Sequence, residues 1–276
     1  MRSKTEAYLR EIANRTRGAL GLAVLDLTNA ESFGLNEQLA FPQASAIKIP
    51  ILMEVYKQVD EGRFKLTDVR CIERQDKTGG SGVLNELGDG TVRLTILDLC
   101  ILMILVSDNT ATNLLLDLVT MDRINQTLET LGFRQTRVRR RMMDLAASAR
   151  GDENLSTPEE AVRIMELLYH GKFISRAVSE EILAILKKPK AGGIVSGLPE
   201  GVPVASKPGG IAGVTTEWAI VFLQERPYVV AVMENFGMGR EATDAMKEIS
   251  KTLYDYFLRL GRATPHGAYV AAAARS

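Results

Sequence analysis

The fold turns on residues 89–116, which read DGTVRLTILDLCILMILVSDNTATNLLL. Ile96 to Val106 is an almost unbroken apolar run that carries Asp98; it is too short to span a bilayer and predicts a helix. The polar triplet Ser107-Asp108-Asn109 interrupts it, and a helical pattern resumes from Thr110 to Val119. Ser, Asp and Asn all favour helix caps, so the triplet reads first as a junction between two helices. Such a junction can also line a cleft. Asn109 offers a donor and an acceptor to a substrate amide, and Ser107 can relay a proton. Composition alone predicts this triplet roughly 0.02 times in a chain of this length, so its presence carries weight.

Ser45-Ala46-Ile47-Lys48 begins 62 residues before that triplet and opens a helical pattern that runs to Asp60. Ile49, Leu52, Met53 and Tyr56 form its apolar face, and Gly62 supplies its stop. Residues three apart share one helix face, so Lys48 can reach the Ser45 hydroxyl. A neutral lysine could remove that proton, and a helix N-terminus favours the negative charge that develops. Backbone N–H groups there could supply half of an oxyanion hole. Pro50 fits a helix that starts close to Ser45, because first-turn N–H groups lack partners anyway. With 13 serines and 12 lysines, chance alone provides roughly half an S-x-x-K match. The spacing needs support from elsewhere in the chain.

Lys207-Pro208-Gly209-Gly210 follows the β-like run Val202 to Ser206. A lysine there can hold a substrate carboxylate, and a second cation near Lys48 lowers its pKa toward that of a usable base. Gly209 and Gly210 allow close backbone approach, and the Gly210 N–H could complete the oxyanion hole. A glycine turn after an edge strand is the plainer reading of the same residues.

The rest of the pattern is a helix from Thr5 to Asn14, a break at Gly18, and strands at Ala19 to Leu27 and Phe33 to Leu35. Glycines 79, 80, 82, 88 and 90 mark a loop-rich connection, and Met121 to Leu131 adds a helix. Ser156-Thr157-Pro158-Glu159 opens a helix to Leu168, and another covers Ala177 to Leu186. Glu217 to Leu223 and Tyr228 to Met233 read as strands, Ala242 to Leu260 as a last helix, and Ala263 to Ser276 as a fraying tail. If the terminal strands share one antiparallel sheet, the helical middle forms a second lobe, and the cleft between them is the natural site.

Composition narrows the classes. The 276 residues are 46% hydrophobic and 25% charged, enough for a sizeable core, and the formal net charge is zero. No global field attracts nucleic acid or an acidic membrane. The run Arg137, Arg139, Arg140, Arg141 reads as a solvated loop or as partners for nearby carboxylates. Cys71 and Cys100 make no disulfide framework, and two histidines give no metal-ligand spacing, so neither metal nor cofactor is expected. Met1 to Arg17 lacks the apolar core of a signal peptide, so the chain reads as cytoplasmic, or as periplasmic or secreted if a leader was removed.

In this order the three motifs resemble the signature of the penicillin-recognising serine enzymes, S-x-x-K, then S-D-N, then K-T-G. Asp89 to Arg93 and Ser107 to Leu116 look closely like the matching region of class A β-lactamases, and Ser156-Thr157-Pro158 and the terminal elements fall where that family has them. The resemblance covers nearly the whole chain. It implies an α/β (α+β) fold of one domain, a five-stranded antiparallel sheet flanked by helices with an all-helical lobe across the cleft. The sheet lobe would take about residues 1–44 and 190–262, and the helical lobe about 45–189. It also implies Ser45 as acylated nucleophile, Lys48 as base or relay, and Ser107 in proton transfer to the leaving nitrogen. Asn109 would contact the substrate amide, Lys207 its carboxylate, and Gly209 and Gly210 the reacting end.

Two departures bear on function. Pro208 stands where the family has threonine or serine, removing a hydroxyl that helps bind the substrate carboxylate. Matching Leu145 to the family's E-x-x-L-N loop puts Met142 at the place of the glutamate that activates the deacylating water. A thioether cannot act as a base, and losing a general base costs typically 10²–10⁴ in rate, roughly 3–5 kcal/mol of barrier. Asp144, Asp152 and Glu153 are the substitutes the loop offers. Cys100 fits one position of the family's cysteine pair, while Leu52 occupies the other. The leading expectation is a serine hydrolase that works through an acyl-enzyme on Ser45 and hydrolyses β-lactams, weakly, or else acts on another small-molecule substrate, an ester or a peptide. The alternatives are a D-alanyl-D-alanine carboxypeptidase or penicillin-binding protein, and a binding relative without turnover. No G-x-S-x-G elbow supports a Ser-His-Asp hydrolase, and His170 reads as a helix end before Gly171.

Overall fold

The computed structural model describes residues 1–267; of the tail expected to fray, residues 268–276 lie outside that range. From the N-terminus, α1 (Arg2–Arg15) leads into β1 (Ala19–Asp26) and β2 (Ser32–Leu35). A two-residue strand, β3 (Phe41–Pro42), and a 3₁₀ turn at Ala44–Ile47 precede α2 (Lys48–Asp60). The ribbon β4 (Val69–Cys71) and β5 (Arg93–Thr95) brackets the glycine-rich loop and delivers the chain to α3 (Ile96–Leu105), α4 (Asn109–Val119) and α5 (Met121–Thr130). The short α6 (Leu145–Ala149) and β6 (Leu155–Ser156) come before α7 (Pro158–Tyr169), α8 (Arg176–Leu186) and α9 (Gly193–Ser196). The chain then forms β7 (Val204–Ile211), β8 (Val214–Val221), β9 (Tyr228–Asn235) and α10 (Gly239–Arg262).

Five strands pair antiparallel in the order β2-β1-β9-β8-β7, which makes β7 an edge. Alternation sorts the side chains to two faces. Leu20, Leu22 and Val24 join Val230, Val232 and Val221 against Leu9 and Ile12 of α1 and Ile249, Leu253 and Phe257 of α10. Ala23, Leu25, Val229, Ala231, Met233 and Trp218 face the opposite core with α2, α3, α4 and α7. Both faces are covered, so these strands read as continuous apolar runs. Among the described residues no helix is long and apolar enough to cross a membrane.

Two sequence expectations shift. The helix expected from Ser45 starts as a 3₁₀ turn, and α2 proper begins at Lys48. Pro50 therefore stands third in α2, where its missing N–H costs nothing. The apolar face expected on α2 is too narrow: Ile51 and Val55 are buried as completely as Ile49 and Leu52, because the helix is enclosed on all sides. Its buried Glu54 is satisfied by Gln58 Nε2 and Thr127 Oγ1. The second shift concerns β7, which runs through Lys207-Pro208-Gly209-Gly210 instead of ending at Ser206. Proline and glycine are tolerated there because β7 lies at the sheet edge.

The α3–α4 junction is held by Asp108. One carboxylate oxygen caps α4 through Ala111 N–H, and the other accepts from Val83 and Leu84 N–H, tying the glycine-rich loop to the helix pair. The carboxylate is almost fully buried. Asp108→Ala would strand three backbone donors, two of them buried, and a destabilisation of about 2–4 kcal/mol is expected in urea unfolding. A loss under 1 kcal/mol would mean that the junction holds without it.

Candidate active site

Ser45 is presented by a turn whose neighbours are pinned from several directions. Gln43, fully buried, donates its N–H to Asn154 O, accepts at Oε1 from Trp218 Nε1 (2.9 Å), and accepts at its carbonyl from Thr216 Oγ1 (2.9 Å). Ala44 takes φ +43° and Ser107 φ +56°. Each is a left-handed backbone on a non-glycine residue, a strain of order 1–3 kcal/mol that the surrounding contacts must hold.

Lys48 is fully buried. Its Nζ lies 2.8 Å from Ser107 O, 3.0 Å from Ser107 Oγ and 3.0 Å from Asn109 Oδ1. Burial, followed by the charge of Lys207, holds its pKa well below the usual lysine range, against an opposing pull from Asp108. The geometry suits the neutral amine. Two N–H groups meet the two carbonyl-type oxygens, and the lone pair can accept from the Ser107 hydroxyl. No hydrogen bond joins Lys48 to Ser45 Oγ in this structure; the amine is one helical turn away and turned toward Ser107.

Gly209 sets how near β7 comes to the nucleophile. A Cβ there would fall 2.7 Å from Gln43 O and Ser45 N and 2.8 Å from Ala46 N, so only glycine permits this approach. Pro208 has no N–H, and β7 bonds β8 on one side only, so its nitrogen must face outward. Two residues on, the Gly210 N–H takes the same outward direction, toward the cleft. A Cβ on Gly210 would meet nothing within 4 Å.

Ser45, Ser107, Lys207, Gly209 and Gly210 line one cavity of about 700 Å³, which wraps the edge of β7 toward Lys190, Gly192 and Glu217. Ser45, Asn109 and Gly210 also line an adjoining cavity of about 520 Å³, closed by Met142, Met143, Leu145 and Ile211. Six of the seven residues singled out in the sequence, Ser45, Ser107, Asn109, Lys207, Gly209 and Gly210, thus line one continuous cleft. The seventh, Lys48, lies fully buried against Ser107 and Asn109.

The loop carrying Met142 is rigidly held. Asn113 Oδ1 accepts from Met142 N–H, and its Nδ2 donates to Met142 O. The three carboxylates offered as substitute bases are engaged elsewhere. Asp144 caps α6, Asp152 pairs with Arg150, and Glu153 pairs with Arg140 and accepts from Ser148. None of them lines either cavity. The basic run likewise resolves into local partners, Arg141 with Asp117 and Arg137 with nearby carbonyls. Cys71 and Cys100 are both free. His170 caps the end of α7.

Sequence reasoning missed Gln43, Lys190 and Glu217, which belong to no local pattern. Burial, ahead of the opposing Ile194 N–H bond and the nearby lysines, pushes the Glu217 carboxyl up to about 7. Lys207 is pushed down to about 7 by burial and then by Lys190, and Lys190 to about 8 by burial. Because the folded state holds the Glu217 proton more tightly, that stability is full below the ordinary carboxylate range and is lost as pH rises through about 7. Glu217→Gln should flatten the fall of Tm between about pH 5 and pH 7. An unchanged slope in melting curves would show that Glu217 is ionised throughout.

Comparisons with known proteins agree with this architecture. The model of the beta-lactamase enzyme family matches residues 4–257. Beta-lactamase CARB-3 of Pseudomonas aeruginosa is 24% identical over 268 residues, covering 94% of this chain and 92% of that protein. The beta-lactamase structure from Sphaerobacter thermophilus DSM 20745 superposes with a TM-score of 0.85 at 33% identity, covering 92% of this chain and 97% of its own. The structure of PBP-A shares the fold at TM-score 0.84 and 24% identity, covering 92% and 96% of the two chains.

Proposed function

The chain belongs to the beta-lactamase enzyme family and is a serine hydrolase of that kind; we propose that it opens β-lactams by acylating Ser45 and releases the product slowly. The observation that carries the first half is the Lys48 site, a desolvated amine against Ser107 and Asn109 in the cleft that Ser45 lines. Ser45 Oγ attacks the lactam carbonyl carbon as its proton passes to neutral Lys48. The oxyanion forms between the Ser45 and Gly210 N–H groups. As the C–N bond breaks, the nitrogen takes a proton through Ser107, which Lys48 resupplies, leaving an ester on Ser45. Asn109, with its Oδ1 on Lys48 and one Nδ2 proton on Gly79 O, keeps the other Nδ2 proton for the substrate amide. Lys207 holds the substrate carboxylate.

Slow release rests on the 520 Å³ cavity, whose lining holds Met142 and no carboxylate among the described residues. Water attacking the ester there has no general base. The same feature favours a second reading, a penicillin-binding peptidase or esterase whose smaller acyl groups let water approach. Both readings share the acyl-enzyme and differ in its lifetime.

A chromogenic cephalosporin, followed by colour and intact mass, should give a burst of one equivalent, a persistent adduct and slow turnover. Ser45→Ala should give no adduct; labelling that persisted would remove Ser45 as nucleophile. Met142→Glu places a carboxylate over the ester and should shorten the adduct's lifetime tenfold or more. An unchanged lifetime would put the slow step elsewhere.

A further inference from the structure

The larger cavity does not stop at Lys207. It continues around the edge of β7 to Lys190, on the segment between α8 and α9, and to Glu217 on β8. Glu217 lies directly across from Pro208, so its side chain projects from the face of the sheet opposite to Lys207. It is fully buried; Oε2 accepts from Ile194 N–H, and the Ser206 side chain also bears on the carboxylate. Lys190 Nζ donates to Leu186 O (2.6 Å) and Lys188 O (2.7 Å) and, among the described residues, forms no ion pair, which leaves one of its three N–H groups. Lys207 Nζ donates to Pro208 O alone, which leaves two.

Two lysines thus line one end of the cleft, Lys190 close enough to depress Lys207, and both are acted on by the single buried carboxylate of Glu217. This corner carries a net positive charge in a chain whose formal net charge is zero. Two of the hydroxyls in its lining are already committed, Ser196 Oγ to Gly192 O and Thr243 Oγ1 to Gly239 O. Pro208 contributes neither a hydroxyl nor an N–H. The two lysines are the cations this end of the cavity offers an anion.

We propose that Lys190 is a specificity-determining residue of this cleft, a second ammonium that with Lys207 selects substrates carrying a carboxylate on the leaving-group side. The inference rests on the acyl-enzyme reading above. It accounts for a cleft that lacks the expected hydroxyl at position 208 and yet extends past it toward a second cation. Glu217 is a positioning residue in this arrangement: from the far wall of the cavity its charge favours protonation of both lysines.

Acylation by benzylpenicillin and by its methyl ester, compared by intact mass at several concentrations, isolates the carboxylate. The native protein should react faster with the acid. Lys190→Met should slow acylation by the acid tenfold or more through weaker binding, with the ester changed less than twofold. Lys190→Arg should keep most of the preference for the acid. The ester serves as the control for folding, since it meets the same Ser45 in the same variant. Equal losses with acid and ester would reduce Lys190 to a cap for α8 and overturn the proposal, as would an undiminished preference for the acid. If the native protein were acylated by neither compound, the parent reading would fall first and this inference with it.

Discussion

A lysine ammonium buried without an ion pair is expensive, and the cost of burying Lys48 shapes everything placed around it. Desolvation favours the neutral amine, and the two carbonyl-type oxygens beside Nζ suit an amine with two N–H groups as well as they suit an ammonium. A group that must titrate between these forms needs partners that do not move. Ser107 is held in a left-handed backbone, Asn109 is anchored through Nδ2 to Gly79 O, and Asp108 between them is spent on capping. The helix that carries Lys48 is enclosed on every side. Base strength and rigidity here have one source, the exclusion of water.

Much of this was legible because the deciding residues sit at short, fixed spacings. Ser45 and Lys48 are separated by one helical turn, and Ser107 to Asn109 straddle one helix junction, so local geometry alone carries the argument. The strands and caps were visible for the same reason. Thr157 caps α7 through Glu160 N–H with Pro158 at its first position, as the local pattern predicts. At Lys207 to Gly210 the reading of glycine and proline as a turn failed. Lys207 to Gly210 continue a strand because an edge has a free side for a proline nitrogen, and because Gly209 must admit the backbone of Ser45. Neither fact is local. Gln43, Lys190 and Glu217 were invisible on the same ground: each acts on a partner far away in sequence, as Gln43 does on Trp218.

The capping reading of Ser107-Asp108-Asn109 holds for Asp108, while Ser107 and Asn109 are the members that meet Lys48. Asp108 is the structural member, with its carboxylate saturated by three backbone donors. Its neighbours turn toward Lys48 because Asp108 turns away. A cap fixes the backbone, and a fixed backbone aims the two flanking side chains. The composition argument singled out the triplet as a unit, and the structure divides its labour.

In the proposed function the same division separates acylation from release within one cleft. In the proposed reaction acylation draws on the neutral amine of Lys48 and on the charge at the β7 edge, where Lys190 and Lys207 stand beside Glu217. Release needs a base on the other side of the ester, and there the loop spends its polar groups on its own integrity. Arg140 pairs with Glu153, Asn154 Oδ1 accepts from Arg139 and Arg140 N–H, and Asn113 grips both ends of the Met142 peptide unit. The loop is therefore stiff and apolar toward the nucleophile. A carboxylate could be missing from a mobile loop without consequence, since another could swing in. In a loop held this firmly, the absence is part of the site.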